Sequence, residues 1–249
     1  ANNRIRELES DERHEIIRIL KEVANDIRPH VEEILFSLKF LADLDFVQAR
    51  TSLSETMGST EPHVEPAPLV DWTRARHPLL DRRLRQQNSG ESPLVPLDIQ
   101  LSPEQRMLII SGPNAGGKSV CLKTVGLLQY MVQCGLGIPV DERSKIGVFS
   151  DIMIDIGDEQ SLENDLSTYS SHLLNMKNML RQANSKTLIL IDEFGTGTEP
   201  NIGGAIAESV LGLLLKERAW GVITTHYQNL KHFADNHPGV ANGAMLYDR

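Results

Sequence analysis

The chain has 249 residues, room for one large domain or for a domain with an appendage. Its 25 Lys and Arg against 34 Asp and Glu leave a formal charge of −9, which argues against a module that works by neutralising nucleic-acid phosphates. A hydrophobic share of 40% with 24% charged residues excludes a disordered or fibrous chain, and no long apolar run or basic-then-apolar leader points to a membrane, so the expectation is a cytoplasmic protein without a membrane partner.

The first predicted element is a long amphipathic helix. Ile16, Leu20, Val23, Ile27, Val31, Ile34, Leu38 and Leu41 recur in steps of four and three, the stripe of a helix with one apolar seam. Pro29 lies inside it, lacks a backbone donor and clashes one turn back, so a kink or break is expected there. Residues 1–56 thus read as a helical appendage of mixed charge whose seam suits a partner helix. Residues 57–70, with three prolines in Met57–Pro68, read as an extended linker, and 71–249 as the main domain.

Beyond the linker, short aliphatic runs alternate with helical patterns, the signature of βα units around a mostly parallel sheet flanked by helices. Strands are expected at Leu94–Leu101, Arg106–Ser111, Ile146–Phe149, Ile152–Ile156, Thr187–Asp192, Trp220–Thr224 and Gly243–Tyr247. Helices are expected at Gly117–Gln133, Thr168–Gln182, Ile202–Glu217 and Gln228–Asn236, and Gln86–Pro93 reads as a polar loop. Cys121 and Cys134 lack metal-ligand spacing and read as reduced thiols.

Three motifs carry chemistry. Residues 112–119, GPNAGGKS, match the phosphate-loop pattern G-x-x-x-x-G-K-[ST] between an apolar strand and a helix. Gly112, Gly116 and Gly117 let the backbone wrap a phosphate, with Pro113, Asn114, Ala115 and Val120 completing the nucleotide-binding segment. Lys118 is expected to reach the β- and γ-phosphates and Ser119 to ligate Mg²⁺, which makes a P-loop NTPase the reading. The run TLILIDE then delivers two acids to the end of a buried strand, Asp192 for the Mg²⁺ shell and Glu193 as general base, a pairing that favours an ABC-like hydrolase. Finally WGVITTHY ends a strand at His226, placed to hydrogen-bond a γ-phosphate.

Taken in order, GPNAGGKS, IGDEQSLENDLSTYSSH, LILIDEFGTGTEP and TTHY resemble the MutS family of ABC-type ATPases, and STYSSH with IGDEQS is most similar to its type-two bacterial branch, MutS-two. ARHPLL at 75–80 and LADLDFVQARTSL extend the resemblance over nearly the whole chain. It implies an ATP- and Mg²⁺-dependent homodimer with composite sites, in which Ser167 and Thr168 complete the opposite subunit's site and Asn114 reaches across the interface. Gln160 falls where the family keeps a metal- and water-sensing loop, Gly195–Pro200 where a loop passes between subunits, and Leu94 and Val95 where apolar groups pack on adenine. It further implies a fragment of a longer protein that uses ATP to control branched-DNA or stalled-ribosome engagement, with the DNA contacts and a nuclease-like module outside this chain.

A mismatch-repair MutS ATPase domain and a nucleotide-dependent dimerisation module with little turnover stand as alternatives. A transporter-like head is disfavoured, because no LSGGQ-type signature occurs. The arginines at 74, 76, 82, 83 and 85 read as solvated or as partners for the acids of Asp151–Asp165, and Met176 and Met179 as core filler.

Overall fold

The computed structural model describes residues 2–88, 90, 93–113, 116–157, 165–196 and 198–245, the side chains of 2 and 165–169 excepted. It divides into two compact units, Ala1–Leu53 and Ser54–Arg249.

Helix α1 (Asn2–Ile27) gives way to a 3-10 turn, Arg28–His30, and then to α2 (Val31–Met57), which runs on into the second unit. The break falls at Pro29, for the steric reason that predicts it. The eight stripe residues from Ile16 to Leu41 are each between 42% and 62% exposed.

The centre of the second unit is a five-stranded sheet made of β4 (Met107–Ser111), β6 (Asp151–Asp155), β7 (Thr187–Ile191), β8 (Trp220–Thr224) and β9 (Val240–Ala244), in the order β6-β7-β8-β4-β9. All its pairings are parallel. Side chains along a strand alternate between faces, and β7 uses both. Leu188 and Leu190 pack with Cys121, Leu122, Val125 and Leu128 of α4 (Lys118–Gln133). Ile189 and Ile191 pack with Met176 and Met179 of α5 (Asp165–Gln182), with Ala207, Leu211 and Leu214 of α6 (Pro200–Lys216), and with Leu230 and Phe233 of α7 (Gln228–Asp235). Every residue of β7 is buried, as a strand covered on both faces requires. The fold is α/β, with its parallel sheet between helical layers and a long helix at the N-terminal side.

A second sheet joins the α4 side of the core. It comprises β1 (His63–Glu65), β2 (Val70–Ala75), β3 (Leu97–Leu101) and β5 (Lys145–Gly147), in the order β1-β5-β2-β3. Strands β1 and β5 are parallel, and β2 runs antiparallel to both its neighbours. The Pro-rich stretch read as a linker therefore contributes β1, and Thr60 bridges Ile138. Helix α3 (Pro78–Gln87) occupies the ARHPLL region, capped by the His77 ring accepting from the Leu80 N–H. The last strand lies at Val240–Ala244, three residues before its expected start.

Because β4, β7 and β8 run parallel as neighbours in the order β7-β8-β4, their C-terminal ends emerge on one edge, where open parallel sheets bind ligands.

Candidate functional site

At the end of β4 the chain turns into α4 through Gly112, at φ 133°, and Gly117, at φ 86°. Both angles lie in the region that disfavours any residue with a Cβ. Gly112 is required twice over, since a Cβ there would lie 3.3 Å from the Met245 carbonyl oxygen. The Gly116 N–H donates to Pro113 O at 3.1 Å, closing the loop. Lys118 begins α4 and folds back over the loop, its Nζ donating to Gly112 O at 2.6 Å with 2% of the residue exposed. Burial pushes its ammonium below the ordinary lysine range, while the charges of Glu193 and Asp192 push the other way. Ser119 is half-buried and Val120 is at the surface. Asn114 and Ala115 lie outside the described residues.

Across the sheet edge, β7 ends in Asp192, 8% exposed, and Glu193, whose backbone is left-handed at φ 50°. Such a conformation costs a non-glycine residue about 1–2 kcal/mol and persists where neighbours over-determine it. Three hydrogen bonds do so here. The Asp192 N–H donates to Asp155 O at 2.9 Å, the Glu193 N–H to Thr224 Oγ1 at 2.8 Å, and the Phe194 N–H to Thr224 O at 2.8 Å. The Thr224 hydroxyl in turn donates to Asp192 Oδ1. His226, just past β8, puts its Nε2 3.9 Å from Glu193 Oε1. The sheet edge thus gathers Lys118, Asp192, Glu193 and His226 around the glycine loop.

Next along the edge is the end of β6. Asp155, 4% exposed, accepts from His172 Nδ1 at 2.8 Å and from Asn175 Nδ2 at 2.9 Å, both from α5. The Asp155 hydrogen bond holds the His172 imidazolium above the ordinary histidine range, partly opposed by burial, and Glu193 adds a smaller charge effect of the same sign. Ser167 and Thr168 fall in the first turn of α5, with side chains outside the described residues, and Gln160 lies outside them altogether. Leu94 and Val95 precede β3 of the smaller sheet, and Val95 is 86% exposed.

Sequence reasoning passes over Thr224, Asp155, His172 and Asn175. One signal was available, because DIMID and TLILID are paired parallel strands that each deliver an aspartate to the same edge. Glu199 proves to be the N-cap of α6, its carboxylate accepting from the Ile202 N–H and held below the usual carboxylate range by that bond. Arg76 and Arg85 pair with Asp81. Cys121 is buried, which pushes its thiol up to about 12 and makes it a poor nucleophile. Among the described residues no group of three or more His, Cys, Asp or Glu side chains is placed to hold a metal, and no helix is long and apolar enough to cross a membrane.

The family model of MutS domain V matches residues 108–248. The chain is 40% identical over 247 residues to a protein named Endonuclease MutS2 from Caldanaerobacter subterraneus subsp. tengcongensis, and that alignment covers 99% of this chain and 30% of the relative. Endonuclease MutS2 proteins of Lactiplantibacillus plantarum and Enterococcus faecalis are 41% and 40% identical with the same coverage. The chain therefore spans 30% of the length of these relatives.

Proposed function

The chain belongs to the MutS family through its domain V, and from that premise we propose that it binds and hydrolyses ATP with Mg²⁺, as the ATPase part of a longer MutS2-type protein. The observation that carries the reading is the meeting of the glycine loop and Lys118 with Asp192, Glu193 and His226 at one sheet edge. Lys118 is desolvated and already engaged with a backbone carbonyl of the loop, a bond that a β- or γ-phosphate oxygen can replace. The first turn of α4, which begins at Lys118 and holds Ser119 and Val120, offers backbone amides without intrahelical acceptors.

The residues present fit Mg²⁺. This ion keeps several waters and takes one or two carboxylates plus substrate phosphates, so a protein cage is not needed. Ser119 and Asp192 would hold it, with Gln160 as a further ligand, and Thr224 fixes Asp192 by donating to it. When bound, the ion neutralises charge on the phosphate oxygens. Glu193 is oriented by its left-handed backbone and acts as general base toward the attacking water. His226 donates to the γ-phosphate and reports its loss.

Completion of the site across a homodimer falls to Ser167, Thr168 and Asn114. In the longer protein, ATP binding would close that dimer on branched DNA or a stalled ribosome, and hydrolysis would reopen it. The word endonuclease in the relatives' names belongs to those whole proteins.

The test is ATP turnover per subunit against protein concentration, with sizing at the same concentrations and Glu193→Gln as control. A specific rate that climbs as dimers form and vanishes in the control is expected. Turnover by a monomer would remove the role given to Ser167, and ATP-driven dimerisation without turnover would leave a nucleotide-gated dimerisation module.

A further inference from the structure

Asp155 is a nearly inaccessible carboxylate, and burying such a charge is costly unless it is paired and hydrogen-bonded. Both of its oxygens are satisfied, and both by α5. His172 and Asn175 lie three positions apart, on one face of the helix, and donate to Oδ2 and Oδ1 respectively. An ionised carboxylate only accepts, so the His172 proton facing it sits on Nδ1. The rest of the ring covers Gly157, where an added Cβ would stand 3.4 Å from Cε1 and 3.5 Å from Nε2. The same residue reaches the other way through its backbone, because Asp155 O accepts the N–H of Asp192. One residue therefore links the end of β6, the acidic end of β7 and the helix whose first turn holds Ser167 and Thr168.

A fastening needed only for packing has no reason to sit here. The inner face of α5 is already covered by Met176 and Met179, 5% and 4% exposed. His172 lies one turn N-terminal to Met176 and Asn175 directly precedes it, and the charge of Glu193 reaches His172. We propose that His172 is a positioning residue for ATP hydrolysis: through its hydrogen bond to Asp155 it anchors α5, about one turn after Ser167 and Thr168, to the sheet edge, in register with Asp192 and Glu193. This rests on the ATPase reading above, and the mechanical part of it can be measured without turnover.

The experiment compares the full chain with His172→Phe, which keeps a ring but no donor, and His172→Gln, which keeps a donor. Three quantities are read in each: kcat, ATP affinity, and amide exchange along α5 in the absence of nucleotide. His172→Phe should lower kcat by about tenfold or more, equivalent to ~1.4 kcal/mol in the barrier, with ATP affinity held within about threefold. Exchange in the first two turns of α5 should quicken by about tenfold or more while β7 is unchanged. His172→Gln should recover both to within about threefold of the parent. The proposal is overturned if His172→Phe keeps kcat within about twofold, if α5 exchange does not change, if affinity falls in step with kcat, or if the glutamine variant is as impaired as the phenylalanine one. Should His172→Phe fail to fold, Asn175→Ala removes the other donor and carries the same readouts, with smaller changes of the same sign expected. A parent chain with no turnover would refute the ATPase reading by itself, and the exchange comparison would still decide whether His172 anchors α5.

Discussion

Thr224 uses one hydroxyl twice, accepting from the Glu193 N–H and donating to Asp192 Oδ1, and so fixes both acids of the site through a single side chain. Thr224→Val is close to isosteric, so packing survives while a part-buried N–H and a buried carboxylate each lose a partner. An unsatisfied group of this kind costs about 1–3 kcal/mol, and urea unfolding should show a loss in that range. ATP turnover should fall with it, because the Glu193 N–H and the Asp192 carboxylate each lose the hydroxyl that positions them, whereas Thr224→Ser should retain both properties. Two histidines give the pH dependence opposite slopes. His172, raised by Asp155, contributes stability that is complete below its unfolded pKa of about 6.5 and is lost as pH rises through its folded value. His77, depressed chiefly by burial while its ring accepts from Leu80 N–H, binds its proton more readily when unfolded, so its contribution fades as pH falls below about 6.5. Unfolding midpoints across pH should therefore peak near that value. His172→Gln should flatten the alkaline limb, and His77→Asn, which retains a capping acceptor, the acid limb.

At the scale of elements, what the sequence disclosed depended on how local the determinant was. β7 and β8 are continuous apolar runs buried on both faces, and α4, α6 and α7 carry their own periodicity, so their positions could be read directly. β2 escaped because its alternation breaks at a bulge between Trp72 and Ala75, where Arg74 has φ 55°. β1 has three residues and exists by pairing with β5, some eighty positions on, which no local window contains. β9 reads VANGA, with Val240 alone buried; its register comes from β4, so its start has no local signal, and Leu246 and Tyr247 of the expected strand lie outside the described residues. The candidate site followed the same rule: the motifs stand out in the sequence, while Asp155 and Thr224 act through partners distant in sequence, on α5 and at the end of β7. Gly203 shows the same conflict between local and long-range terms. By helix propensity Gly203→Ala should stabilise α6 by about 0.5–1 kcal/mol. A Cβ there, however, would run into the Gly195 carbonyl oxygen and come within 2.9 Å of the Tyr227 hydroxyl, which itself donates to Gly195 O at 2.9 Å. Backbone that is pinned in this way cannot yield cheaply, and overpacking costs about 1–3 kcal/mol, so the long-range term should win. Thermal unfolding should show net destabilisation, and turnover should drop because Gly195 follows Glu193 by two residues.

For the whole molecule, the distribution of buried apolar surface decides which part folds alone. Both core clusters lie entirely within the second unit, beginning at Val70, and α2 has no buried residue. The first unit has the opposite character, since its stripe from Ile16 to Leu41 is exposed and its helices lack the burial that normally stabilises a helix in water. Truncation to Ser54–Arg249 removes 53 residues but no core side chain. Two terms then compete. Losing the first unit could withdraw stabilising contacts, whereas a domain of this size shifts its Tm by only about 2–4 °C per kcal/mol. With no core side chain lost, the expected change in Tm is within about 4 °C, and ATP affinity should match that of the whole chain because every described site residue is retained. Calorimetry and ATP titration on the truncated chain check both. A Tm lower by about 10 °C or more would mean that the long helices stabilise the nucleotide-binding unit, despite their exposed stripe.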